Sequence, residues 1–156
     1  MERQASRLLD LAEGLPAPLL ERRVLVPRQI GLEDSSRFHS WTMVVEHLTI
    51  AGDGIAAILS ALTHGIAPAG TVRVEDLKPA GGIGAPQAVE RYRAMLRRLR
   101  DTILDDGADW NTGLRHAHPW FGPLGPGAWA CFAPFHQAIH LKQARRIRRL
   151  LLKEVP

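Results

Sequence analysis

The sequence predicts an all-α fold, a four-helix bundle with a long crossover between its second and third helices. Three observations carry this expectation. Apolar residues recur at steps of three and four over three long stretches. Proline and glycine collect at 14–18, ahead of those stretches, and at 65–86 and 122–127, between them. Strand-type alternation is confined to a brief candidate at 71–74. With 156 residues, 46% of them hydrophobic and 23% charged, the chain suits one domain, 1–156, that buries its own core.

The first helix is expected to be short or broken. Leu8, Leu9 and Ala12 share a face, the cluster at 14–18 interrupts them, and 19–26 can resume the helix before a loop through 27–37. The second helix spans 40–64, with Val44, Ala51, Ile55, Ile58 and Leu62 on its apolar stripe. The third spans 86–104, carried by Val89, Tyr92, Leu96, Leu99 and Ile103. Pro86 suits its first turn, where the missing N–H has no partner to lose. Some 20 residues separate these two helices, against roughly two to eight between adjacent antiparallel helices. A chain that crosses the bundle fits that length. The fourth helix begins near Pro126, with Gly125 as N-cap, and runs to about Lys153; Trp129, Phe132, His136, His140, Gln143, Ile147 and Leu150 face inward.

Composition narrows the setting. The single cysteine, Cys131, has no partner for an internal disulfide and reads as a small buried hydrophobe in a reducing compartment. The N-terminal residues lack the apolar core of a signal peptide, and no stretch is read as a membrane span, so a cytoplasmic, membrane-free protein is expected. Net charge is +4, with arginine gathered at 91–100 and 142–153. Such clusters attract nucleic acid or anionic membrane. However, no recognition motif accompanies them, and Lys142, Arg145, Arg146 and Arg149 fall away from His136 and His140, as a solvated face does.

The chemistry gathers on histidine. His136 and His140 lie one turn apart, about 6 Å along the axis, so two imidazoles can converge on one ion. His47 falls beside the apolar stripe of the second helix, where a polar ring must find a partner or bear its desolvation. A divalent metal shared by His47, His136 and His140 answers that for all three and leaves a coordination position open. Histidines satisfied within the core, without an ion, are the competing reading, and with it a non-catalytic bundle that binds a protein partner or nucleic acid through its arginine faces. Gln137 stands where the zinc-protease HExxH pattern needs glutamate, and the P-loop, GxGxxG and GxSxG signatures are missing.

Two segments, SWTMVVEHL at 40–48 and HPWFGPLGPGAWACFAPFHQAIHLKQ at 118–143, resemble the DinB-like, or YfiT-like, metalloenzyme superfamily. The match lies in a histidine on the second helix and an HxxxH pair on the last. Ahead of that pair come an HPxFG-type turn (His118, Pro119, Phe121, Gly122) and a tryptophan, Trp129. The resemblance implies a crossover bundle with nickel or zinc on His47, His136 and His140. It also implies a small-molecule substrate, with a low-molecular-weight thiol activated by the metal for transfer, and frequent homodimers. The short first segment departs from the family's longer first helix, which puts its usual dimer surface in doubt.

Around the site, Gln143 is a candidate to hydrogen-bond a ligand histidine or a metal-bound water. His116 and His118 are read as parts of the turn into the last helix, with His118 bracing it. Trp41, Trp120, Trp129 and Phe121 are read as core and loop packing, and His39 and His64 as ends of the second helix. Glu46 neighbours His47 in sequence but points about 100° away. No catalytic acid or base is assigned.

Overall fold

The structure is a computed structural model, and it describes residues 1–153. It is mostly helical. A short helix α1 (Glu2–Asp10) precedes a single turn, α2 (Ala17–Leu20). The long helices are α3 (Trp41–Thr63), α4 (Ala85–Ile103) and α5 (Pro126–Lys153). The predicted second, third and fourth helices correspond to α3, α4 and α5, within two residues at each end.

Local chemistry explains these boundaries. The Ser40 hydroxyl caps α3 by accepting from the Met43 N–H at 3.1 Å. His64 ends α3, and Gly65 follows with φ +72°, a conformation glycine adopts without strain. Pro86 sits in the first turn of α4. α5 contains Pro134, which removes one helical N–H donor and leaves the Ala130 carbonyl without that partner.

Helix direction follows from three contacts. Glu46 accepts from the Gly81 N–H, Asp53 pairs with Arg98, and the Thr63 carbonyl accepts from the Asp109 N–H. They ascend along both segments, so α3 and α4 run parallel, as a crossover requires. α5 runs the other way: His140, Gln143 and Arg148 meet His47, Ser36 and Leu11 in turn. The core between them includes Leu8, Val44, Leu59, Tyr92, Leu99, Trp129 and Ile147.

Several expectations are corrected. The helix does not resume over 19–26: α2 stops at Leu20, and Val24–Leu25 (β1) pairs antiparallel with Phe38–His39 (β2). One helical turn has little hydrogen bonding of its own to offset nucleation, whereas the two-residue ladder closes the 27–37 loop. Residues 71–74 form no strand; a 3-10 turn covers Val74–Leu77 instead. A second hairpin, His116–His118 (β3) with Gly122–Leu124 (β4), leads into α5. Cys131 is exposed, because two residues turn it roughly 200° from both Trp129 and Ala133, which are buried. Trp41–Thr63 is long and apolar enough to cross a membrane by length and composition, against the sequence expectation, but 72% of its most apolar window is buried inside the fold.

Two glycines of α3 make opposite demands. A Cβ on Gly52 would overlap the sulfur of Met95 and come within 2.9 Å of its Cγ, so Gly52 permits the close approach of α3 and α4. A Cβ on Gly54 would meet nothing within 4 Å. Gly54→Ala is therefore expected to stabilise the protein by about 0.5–1 kcal/mol, and Gly52→Ala to destabilise it by about 1–3 kcal/mol. Urea denaturation of the two variants beside the parent measures both signs; equal effects would contradict the packing described.

Candidate metal centre

The structure brings His47, His136 and His140 together. One ligating atom from each lies within 4.8 Å of the others. His136 Nε2 is 3.2 Å from His47 Nε2 and 3.1 Å from His140 Nε2. The helices set this meeting: α3 buries His47 on the face it turns to α5, and one turn of α5 stacks the other two rings side by side.

The opposite ring nitrogens are fixed from outside the cluster. His47 Nδ1 lies 2.8 Å from the carbonyl of Leu77, in the crossover. A carbonyl only accepts, so Nδ1 carries the proton and Nε2 carries a lone pair. His140 Nδ1 lies 2.8 Å from Gln143 Oε1, while the Gln143 amide donates to the Ser36 carbonyl at 2.7 Å. That second bond fixes the amide's orientation, so His140 also donates through Nδ1 and presents a bare Nε2. Two acceptor lone pairs thus turn into one small volume. A proton on His136 Nε2 cannot donate squarely to both, whereas a cation placed among the three nitrogens can accept from all of them.

Burial keeps the rings neutral. It lowers the pKa of His136 to about 3, with the neighbouring His47 and His118 adding to the effect. It also holds His140 well below the usual imidazole range, helped by His47 and His136 and opposed by the Gln143 hydrogen bond. His47 is lowered by burial too, though the Leu77 carbonyl and the Glu33 carboxylate pull it back. Neutral imidazole is the form that ligates metal.

Above the three rings lies a cavity of about 80 Å³. α3 supplies Ala51, Gly54, Ile55 and Ile58; the crossover supplies Val72, Val74 and Leu77; Trp120, Trp129 and Phe132 close the other side. Trp120 and Phe121 are half-exposed, so neither is core, and Trp120 forms part of the cavity rim. Trp41 and Trp129 are buried. His118 packs on Phe132 with ring centroids 4.4 Å apart, and its Nδ1 accepts from the Trp120 N–H at 3.2 Å. The His116 carbonyl accepts from Trp129 Nε1.

Other candidates lie elsewhere. Glu46 is spent on the Gly81 N–H. Gln137 hydrogen-bonds the Tyr92 hydroxyl on α4, away from the cluster. His64 faces Asp105 at the far end of α3. Of the arginines, Arg146 and Arg148 reach backbone carbonyls of 27–28 and of Leu11 and Glu13, so part of the basic face of α5 ties down the N-terminal segment. Glu33, which sequence reasoning missed, lines the cavity. It sits in an irregular loop where no periodicity exists to announce it.

No family model and no curated protein matches the chain. Among solved structures, the chain is similar to TT2238, described as a four-helix bundle protein. The identity is 25% over 92% of this chain and 90% of that one, with a TM-score of 0.55. The likeness supports the bundle and names no activity.

The depressed imidazole pKa values carry a sign for stability. Unfolded histidine titrates near 6.5, and His136 near 3 in the fold. Between those values the unfolded chain binds more protons, so the stability of metal-free protein is complete above about pH 6.5 and declines as pH falls toward about 3. His39, lowered to about 4 by burial with His47 and Arg23 contributing, acts in the same direction. Melting temperature followed by circular dichroism should fall from about pH 7 to about pH 4, with a shallower slope in His136→Asn. An unchanged slope in that variant would show that His136 is not held neutral by the fold.

Proposed function

We propose that His47, His136 and His140 hold one divalent transition-metal ion, nickel or zinc, and that the chain is a DinB-like metal-dependent enzyme acting on a small molecule. One observation carries this reading: Leu77 and Gln143 accept hydrogen bonds from Nδ1 of His47 and His140, so the bare Nε2 atoms of both rings turn toward Nε2 of His136. An arrangement that orients rings inward through outer hydrogen bonds is how ligating histidines are normally held.

Three protein ligands would leave a coordination position for water or substrate, as in catalytic rather than structural sites. Held by these residues, such an ion would supply Lewis acidity, lowering the pKa of a water or thiol it binds. The protein's own residues do the rest. Leu77 and Gln143 fix the tautomers, Ile55, Ile58 and Phe132 line a largely apolar wall, and Gly54 leaves room for a ligand beside α3. Transfer involving a low-molecular-weight thiol is the reaction we favour, on the strength of the motif at 118–143 rather than of any single side chain. The exposure of Cys131 on the outer face of α5 leaves the thiol to come from solution.

Elemental analysis of protein purified without a histidine tag is expected to find one equivalent of metal, and His136→Ala should lose it. Full metal retention in that variant refutes the assignment. Gln143→Leu removes the acceptor for His140 Nδ1 and is expected to weaken metal affinity by about 10–100-fold, measured by competition with a chromogenic chelator.

A further inference from the structure

The outer face of α5 is apolar at one end and basic at the other. Cys131, Phe135, Ala138, Lys142, Arg145 and Arg149 are all exposed. At about 100° per residue they fall within about 80° of one another around the helix, so they form one stripe along it. The loop over 27–31 borders this stripe. Gln29 donates to the Ile139 carbonyl, and Arg146 donates to the carbonyls of Pro27 and Arg28.

At the apolar end the exposed surface widens. The hairpin of β3 and β4 turns through Pro119, Trp120 and Phe121, and Trp120, Phe121 and Phe135 are each 54% exposed. Phe132 lies between the two phenylalanines, with ring centroids 6.0 Å from Phe121 and 6.3 Å from Phe135, so the patch is continuous. Ile30, in the bordering loop, is 97% exposed.

The basic end is uncompensated. From Trp110 to Lys153 the sequence holds no aspartate or glutamate. Arg146 and Arg148 are spent on backbone carbonyls, but Lys142, Arg145 and Arg149 make no ion pair or hydrogen bond among the described residues. The arginines of α4 differ: Arg98 pairs with Asp53 and Arg100 with Asp101.

A partner must therefore offer anions beside an apolar layer. A second copy of this chain brings no carboxylate on its own α5 to meet the three cations. A single-stranded nucleic acid can stack bases on the rings, but stacking gives an aliphatic side chain such as Ile30 little. A lipid surface answers both ends at once. Its boundary between headgroups and acyl chains takes up aromatic and aliphatic side chains, and anionic headgroups attract lysine and arginine.

We propose that the tip of the second hairpin and the outer face of α5 rest on an anionic membrane surface. Phe121 and Phe135 enter the headgroup boundary, and Lys142, Arg145 and Arg149 meet the lipid phosphates. Contact of this kind needs no spanning segment, the feature on which the membrane-free expectation rested. Trp120 also rims the cavity, so the contact sets that rim beside the lipid. The inference is independent of the histidine centre.

Co-sedimentation of the full chain with vesicles tests it, using phosphatidylcholine alone and phosphatidylcholine mixed with phosphatidylglycerol. The mixed vesicles are expected to bind on the order of 100-fold more tightly, and added salt should weaken that binding. Replacing Lys142, Arg145 and Arg149 by Gln together should remove most of the difference. Phe121→Ser with Phe135→Ser should weaken binding to the mixed vesicles about tenfold, in protein whose helicity and metal content match the parent. Absence of binding to the mixed vesicles overturns the proposal. Binding that needs the cations but survives loss of both phenyl rings is unspecific attraction and overturns it too. Tighter binding to a single-stranded oligonucleotide than to the mixed vesicles assigns the face to nucleic acid instead. A dimer in sedimentation velocity that Phe135→Ser dissociates assigns it to a second copy, and likewise overturns the proposal.

Discussion

The site depends on where two protons are held. If Nδ1 of His47 and of His140 did not donate outward, their rings could turn, exchange tautomers and hydrogen-bond within the cluster. The acceptors that prevent this are a backbone carbonyl at Leu77 and a side-chain amide at Gln143, itself anchored on the carbonyl of Ser36. Neither Leu77 nor Ser36 belongs to a long helix. The bundle places the imidazoles, and the irregular segments orient them.

That division explains the energetic logic of the core. Rings that are buried and kept neutral are tolerable only when their polar nitrogens are occupied. For His47 and His140 the outward nitrogens are occupied and the inward ones both turn to His136 Nε2, so within the cluster the competition for a proton is confined to one point. His39 lies close enough to depress, and to be depressed by, this cluster, and its Nδ1 is buried with no hydrogen-bond partner among the described residues. His39 and the cluster thus lie toward the end of the molecule where α3 begins, while the opposite end of the bundle is packed by Leu59, Leu62 and Leu99.

What the sequence made legible was whatever repeats. The stripe of Val44, Ile55, Ile58 and Leu62 located α3, and the four-residue step from His136 to His140 put two rings on one face, because helical geometry is local and periodic. The juxtaposition with His47, 89 residues away from His136, followed only from placing both faces inward. What stayed hidden was set by tertiary contact. The two hairpins are too short for alternation to register, Leu77 acts through a carbonyl that every residue possesses, and Glu33 acquires its place from a loop with no period. For Cys131 the helical angle from buried Trp129 and Ala133 decides exposure, and the residue type, common in cores, points the other way.

The crossover links these points. Because α3 and α4 run parallel, the chain must return along α3 from Thr63 to the level of Glu46, about 26 Å at the helical rise. Roughly 20 residues are spent on it, enough to span about 65 Å when extended. The surplus chain cannot lie straight. It folds over α3 as the 3-10 turn Val74–Leu77, and that turn delivers both the carbonyl that fixes His47 and the side chains of Val74 and Leu77 that wall the cavity. Joining α3 to α4 by a tight antiparallel turn would leave the two helices intact and His47 in place, but it would remove the acceptor on which its orientation rests. In this protein the long connection is therefore part of the centre, and the topology that demands it is what makes a three-histidine cluster an oriented one.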